Sequence, residues 1–347
     1  MNNIKTILLT HYNRYPNSSL QDFCKLLYQN EFGCGHLVKD LSVCVDRIRA
    51  ERETVDTASQ QSCEDIGNGY CRIYLTGTDC SDELLGRIFY ASAKRQTGSV
   101  DGFLAKTAEL KALCKEGKLP FEPQAVDAFL SNWQQCGMPL FSHSDVYKAA
   151  YAPAYRVIED KYVPFLNLFT KIETAVAKKR TIIAIDGRCG SGKTTLAAWM
   201  ESVFDCTVIH MDDFFLPPAL RTPDRLAEPG GNVHYERFSE EVVTGLKSGL
   251  PFSYGVFDCS KMAVTHSAQV DEPRLIIVEG SYSHHPKLGD YADCKLFCDI
   301  DPAVQKTRII ARNGEAMYRN FETRWIPMEE RYFDAFHIRE TCDQIIR

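Results

Sequence analysis

The sequence predicts two domains of different class: a mainly α-helical domain over residues 1–172, then an α/β domain over 173–347 whose parallel sheet is covered by helices. Three observations carry this. The chain has 347 residues, more than one hydrophobic core commonly organises, so two domains of roughly 170 residues are expected. Up to about residue 172, apolar side chains recur at spacings of three and four, the period of one helix face. Beyond Lys178, Lys179 and Arg180, cations suited to a helix C-terminus, short apolar runs alternate with helical segments, the pattern of strands buried on both faces.

In the first part, Ser18 and Gln21 have capping-box spacing, and Leu20, Phe23, Cys24 and Leu27 then share a face until Gly33 and Gly35 stop the helix. Leu41, Cys44, Val45 and Ile48 repeat the pattern, as do Leu84, Leu85, Ile88 and Phe89. Val100, Phe103, Leu104 and Thr107 draw a further face, and Ala125, Val126, Phe129 and Leu130 another. Only residues 70–75 read as a strand. Tyr147, Tyr151 and Tyr155 recur at every fourth position, which predicts one helix face used for packing. His36 and His143 each sit in a turn-like context beside small residues, and both read as hydrogen-bonded structure.

In the second part the predicted strands are 181–186, 207–211, 274–279 and 295–300, with helices at 240–247 and 303–311 and a last strand at Gln344, Ile345 and Ile346.

Hydrophobic residues make up 44% and charged residues 25%, ordinary values for a folded globular chain. A net charge of -6 argues against a nucleic-acid-wrapping surface, so no nucleic-acid partner is expected. No apolar run approaches the ~20 residues of a membrane span, and residues 1–10 lack a secretory signal, so the expectation is a cytoplasmic protein without a membrane partner. The 14 cysteines form no CxxC pair and read as free thiols; Cys34 with His36, and Cys294 with Cys298, lack four-ligand zinc spacing. A homo-oligomer is left open.

Gly187, Arg188, Cys189, Gly190, Ser191, Gly192, Lys193 and Thr194 match G-x-x-x-x-G-K-[ST], directly after one predicted strand and at the head of a helix. Glycines let such a loop turn its N–H groups toward an anion, and the helix start adds partial positive charge. The expected ligand is ATP with Mg2+, held by Gly187, Cys189, Gly190, Ser191, Gly192, Lys193, Thr194 and Thr195. Lys193 would reach the outer phosphates and Thr194 would hold the metal. After the second strand come Asp212 and Asp213, at the sheet end where open α/β folds bind ligands. A carboxylate there can accept the proton of an attacking hydroxyl. The third strand ends in Glu279, suited to the Mg2+ shell. Arg308, Arg312, Arg319 and Arg324 follow on and after a predicted helix, where cations could face the transferring group.

Taken together, the segments IIAIDGRCGSGKTTLA, VIHMDDFFLP, EPGGNVHYERF, LIIVEGSYS, CDIDPAVQKTRIIARNG and FETRWIPMEERYF resemble the uridine kinase, phosphoribulokinase and nicotinamide riboside kinase group of P-loop small-molecule kinases. The resemblance spans roughly residues 180–347 and implies a P-loop kinase fold using ATP and Mg2+. It implies that Asp212 is the catalytic base, with a further place beside the metal, and that Glu279 is the metal-side carboxylate. Lys193, Arg308 and Arg312 would assist transfer. Asp213 and Phe215, the 232–238 segment with His234 and Tyr235, and the Phe257-Asp258 pair would enclose the acceptor. The implied acceptor is a hydroxylated small molecule of the nucleoside type. Ribose-binding members carry an acidic residue near the start of the 232–238 segment, whereas this chain has Val233 and His234. Two other readings fit the same residues: an ATP-gated regulator whose nucleotide site switches the helical domain, and a bifunctional enzyme whose helical half acts on the phosphorylated product.

Overall fold

A computed structural model of the chain describes residues 3–34, 38, 40–55, 62–95, 98–271 and 274–347, so Gly35 and His36 lie outside the described residues. The chain divides into two compact units, Met1–Lys171 and Ile172–Arg347.

The first unit holds helices α1 (Ile4–Arg14), α2 (Leu20–Phe32) and α3 (Leu41–Thr54), strands β1 (Cys63–Gly67) and β2 (Tyr70–Tyr74), helices α4 (Asp82–Ala93), α5 (Val100–Lys115), α6 (Pro123–Gln135) and α7 (Asp145–Tyr151), and strand β3 (Tyr155–Glu159). Helix α2 buries Phe23, Cys24, Leu26 and Leu27. Its capping box is Ser19 with Asp22, one residue beyond the expected pair, because the Ser18 hydroxyl is already donated to the Tyr15 carbonyl at 2.6 Å.

The strands form an antiparallel sheet in the order β1-β2-β3. The β1–β2 turn is made by Asn68 and Gly69, both at positive φ (56° and 80°), the backbone a two-residue hairpin needs. Only β2 was legible from the sequence. The expected tyrosine stripe also breaks: α7 ends at Tyr151, Ala152 turns left-handed (φ 40°), and Pro153 cannot continue a helix, so Tyr155 stands on β3.

The second unit begins within α8 (Leu166–Lys178) and continues with β4 (Thr181–Gly187), α9 (Lys193–Val203) and β5 (Cys206–His210). Short helices α10 (Pro223–Ala227), α11 (Tyr235–Phe238) and α12 (Thr244–Ser248) precede the hairpin β6 (Phe252–Asp258) and β7 (Ala263–Val270). Then come β8 (Leu275–Glu279), β9 (Cys294–Cys298), α13 (Pro302–Asn313), α14 (Glu315–Asn320), α15 (Ile326–Phe336) and β10 (Gln344–Ile346). The sheet is five-stranded and parallel, in the order β10-β9-β4-β8-β5. The second unit is thus an α/β domain, a parallel sheet with helices around it.

Ile183, Ala184, Ile185, Ile276, Ile277, Val278 and Leu296 are wholly buried. Full burial of an Ile, Leu or Val side chain contributes ~1.5–3 kcal/mol, so these runs hold the sheet between its helices. The expected helix at 240–247 is interrupted by a wide turn at Ser239–Val243 before α12 resumes. The β6–β7 hairpin was not foreseen, because most of β7 faces solvent and carries no apolar alternation. Among the described residues no helix is long and apolar enough to cross a membrane. All the cysteines are free thiols.

Candidate functional site

The sheet order puts β4 between β9 and β8, with β5 beyond β8. Whatever follows the C-terminal ends of β4, β8 and β5 is therefore gathered along one edge, where open parallel sheets bind ligands.

Strand β4 leaves the sheet at Gly187, with φ 134°, and a Cβ there would overlap the Cys298 carbonyl on β9. Only glycine fits that exit. The loop runs to Gly192 (φ 102°), the N-cap of α9, which offers no side-chain cap. The first intrahelical bond after it is Leu196 N–H to Gly192 O at 2.9 Å, which leaves the amides of Lys193, Thr194 and Thr195 without an acceptor inside the helix. Such amides, with the partial charge of the helix start, suit a phosphate.

The loop is tied down from below. Arg188 binds Glu330 through two hydrogen bonds (2.6 and 2.9 Å) and pairs with Asp299. The Cys189 N–H donates to Glu329 Oε2 at 2.9 Å, Gln305 donates to the Cys189 carbonyl at 2.9 Å, and Arg308 reaches the Gly190 carbonyl at 3.3 Å. Asp186, fully buried, accepts from the amides of Gly187, Tyr282 and His284 and from the Tyr332 hydroxyl. It thereby joins the end of β4 to the segment after β8 and to α15.

Lys193 is buried, its ammonium donating to the carbonyls of Gly187 (2.7 Å) and Arg188 (3.0 Å) and to Ser281 Oγ (3.2 Å). Ser281 in turn donates to Glu329 Oε1 at 2.7 Å. Burial pushes the Glu329 carboxyl up, against the nearby Lys193 charge, which holds it down. The Ser191 hydroxyl is buried with no hydrogen-bond partner, an orphan polar group inside the loop itself.

The Thr194 hydroxyl stands 3.2 and 3.3 Å from the two Glu279 oxygens, and Glu279 Oε1 is 2.6 Å from His210 Nδ1 at the end of β5. That bond raises the His210 imidazole above its ordinary value.

Directly after β5 a short turn, Met211–Phe214, buries Met211 and Phe214 and sends the two aspartates apart. Asp213 accepts from the Tyr254 hydroxyl at 3.2 Å, and its main-chain oxygen accepts from Arg237. Asp212 is exposed to solvent at the end of β5, with the charges of Glu279, Lys193, His210 and Asp213 around it. Desolvation by the surrounding protein, and then the Glu279 charge, push its carboxyl above the usual range. The turn of the β6–β7 hairpin lies near it: burial and then the Asp212 charge both raise the Cys259 thiol.

The expected residues thus divide. Lys193, Thr194, Glu279, Asp212 and Arg308 converge around the loop. Arg312 is exposed and bonded to its neighbour Asn313. His234 caps α11, accepting from the Arg237 amide at 3.3 Å. Tyr235 and Phe257, expected to touch the acceptor, are each only 5% exposed; Tyr235 packs between Arg225 and His285, so both are core residues. Asp258 is engaged by Ser260 in the hairpin turn, and Phe215 pairs with Val233 in a single bridge. Sequence reasoning assigned no role to Glu329, Ser281, His210 or Asp186. His210 and Asp186 each abut a motif residue and could have been found there. Glu329 lies on a distant helix with no local signal.

No family model matches the chain. Among solved structures it is similar to a "possible uridine kinase" from Bacillus stearothermophilus, at 18% identity over 52% of this chain and 100% of that one, with a TM-score of 0.39. It is also similar to a "putative fructose transport system kinase" from Silicibacter sp. TM1040, at 21% identity over 51% of this chain and 98% of that one, with a TM-score of 0.38.

Proposed function

We propose that the unit Ile172–Arg347 is an ATP-dependent phosphotransferase that phosphorylates a hydroxyl of a small metabolite of the nucleoside type. One observation supports this above all: beyond the C-terminal ends of the adjacent strands β4, β8 and β5 stand Lys193 and Thr194 at the head of α9, Glu279 as the last residue of β8, and Asp212 in the turn after β5.

The residues fit a triphosphate with Mg2+. The uncapped α9 amides and the orphaned Ser191 hydroxyl await acceptors, and Thr194 with Glu279 offers the hard oxygen ligands Mg2+ prefers. When bound, MgATP supplies an activated terminal phosphoryl group whose charge the metal partly neutralises. The chain's own part is positional. Lys193 would exchange the loop carbonyls for phosphate oxygens. Ser281 and Glu329 keep the loop's shape as Lys193 leaves. Asp212, with its raised pKa and free carboxylate, would orient the acceptor hydroxyl and take its proton. Arg308, already at the loop, is the nearer cation, and Arg312 would have to turn inward. The β6–β7 hairpin stands where it could close over the acceptor.

The test is phosphoryl transfer from labelled ATP to a panel of nucleosides, vitamins and sugars. Asp212→Asn should lower kcat by ~10²–10⁴-fold with ATP affinity unchanged. Full transfer by that variant would remove the assigned base. An ATP-gated regulator would instead show slow hydrolysis alone, whatever acceptor is added.

A further inference from the structure

Strand β8 ends in a buried carboxylate, and the hydrogen bonds that hold it can be counted. Glu279 lies between Ile185 of β4 and His210 of β5, its register partners on either side. Ile185 offers no donor. Lys193 has three ammonium hydrogens, and the carbonyls of Gly187 and Arg188 and the Ser281 hydroxyl take them. The Thr194 hydroxyl has one hydrogen, spread between the two carboxylate oxygens at 3.2 and 3.3 Å. Among the described residues only His210 holds Glu279 by a short bond, from Nδ1 to Oε1 at 2.6 Å.

The pairing follows from the strands. β5 and β8 run parallel and end in register, at His210 and Glu279, so both side chains leave the sheet on the same side. A carboxylate can only accept, so Nδ1 carries a hydrogen and donates it. Nδ1 is a donor in this neutral tautomer and in the imidazolium alike, so the bond does not depend on the charge of His210. A glutamate carboxylate turns about a last torsion that has no steep staggered wells. The His210 bond sets that turn. With Oε1 held, the lone pairs of Oε2 remain for a cation that Thr194 and Glu279 share. Packing does not account for the imidazole, because its side chain is 45% exposed.

We propose that His210 is a positioning residue for the divalent cation of the phosphoryl-transfer site: it fixes the rotation of Glu279, so that the carboxylate and the Thr194 hydroxyl are presented together as preformed oxygen ligands. This rests on the reading of the glycine-rich loop as a MgATP site. His210 is not itself offered to the metal, since Nδ1 is spent on Glu279 and imidazole is a softer ligand than Mg2+ prefers. It acts through Glu279. Donors behind a metal's ligands orient them, and removing such a donor typically costs ~10–100-fold in metal affinity.

The experiment uses the full chain with ADP and Mn2+, a paramagnetic cation that takes the same hard oxygen ligands as Mg2+. Free Mn2+ is counted by electron paramagnetic resonance at one fixed pH. Three variants separate the donor from the ring. His210→Ala removes both, His210→Phe keeps a ring without a donor, and His210→Asn keeps an amide N–H close to the place of Nδ1–H. Alanine and phenylalanine should raise the Mn2+ dissociation constant ~10–100-fold, and asparagine should recover most of that loss. ADP affinity in EDTA, which reads the loop without metal, should match the parent chain in all three. Mn2+ affinity equal to the parent in His210→Ala and His210→Phe would overturn the assignment. So would loss in His210→Asn with retention in His210→Phe, which would make the ring responsible and not the donor. A fall of ADP affinity in EDTA, in step with that for Mn2+, would reduce His210 to a residue of the fold and overturn it as well. A parent chain that takes up no Mn2+ with ADP would refute the MgATP reading of the loop, and this assignment with it.

Discussion

Glu329→Ala tests whether a buried carboxylate shapes the glycine-rich loop. Glu329 is 5% exposed and accepts two hydrogen bonds, from the Cys189 amide at 2.9 Å and the Ser281 hydroxyl at 2.7 Å. Alanine removes both acceptors. Ser281 has an alternative in the Gly187 carbonyl, 3.2 Å away, so its hydroxyl is rescued. The Cys189 amide has none, and an orphaned buried N–H costs ~1–3 kcal/mol, to which the lost methylene adds ~0.8 kcal/mol. The expected loss is thus ~2–4 kcal/mol in the second unit. Glu329→Gln retains one acceptor oxygen and should lose about half as much. Since Lys193 also loses its opposite charge, ATP affinity should fall in the same order. Trp199 and Trp325 lie in this unit and Trp133 in the other, so denaturation of a Trp133→Phe background followed by fluorescence isolates the relevant transition. If Glu329→Ala unfolds at the same denaturant concentration and binds ATP as tightly as the parent, the carboxylate does not shape the loop.

The two glycines of the loop should differ sharply. Gly187→Ala drives a Cβ into the Cys298 carbonyl and should abolish soluble expression, whereas Gly192→Ala meets open space and carries only the strain of its φ of 102°, ~1–3 kcal/mol. Thermal melts with and without ATP would show it; equal behaviour of the two variants would contradict the geometry. The first unit should be acid-sensitive. Burial lowers the His143 imidazole to about 4, so its contribution is fully present above the unfolded value of 6.5 and is lost as pH falls toward 4, ~3 kcal/mol in all. Glu64, held at about 2 against burial chiefly by Arg72, adds a loss below its ordinary value of 4.5. Stability of the first unit measured between about pH 7 and 4 should therefore decline steadily, and a flat profile would mean His143 is not buried neutral.

The two units differ in how much their residues disclosed, and the reason is topological. In a parallel sheet each strand is a continuous apolar run, and the residue that ends it arrives at the ligand edge. A run such as Leu275, Ile276, Ile277, Val278, Glu279 thus states in one line both an element and a functional side chain. Gly187, Lys193, Thr194, Asp212 and Glu279 were all legible for that reason. Glu329 was not, because it reaches the loop from α15 by tertiary packing alone. In the first unit this limitation applies throughout. Asp22, Arg72, His143 and Tyr155 come from α2, β2, the segment before α7, and β3, and no period connects them. The one period present misled: Tyr147, Tyr151 and Tyr155 keep helical spacing across Pro153, where the chain changes from helix to strand. A network assembled by convergence is visible only once distances are known. What the sequence could register was its separate parts, a histidine between small residues and an arginine within an apolar strand, each with an ordinary explanation until the fold brought them within hydrogen-bond reach.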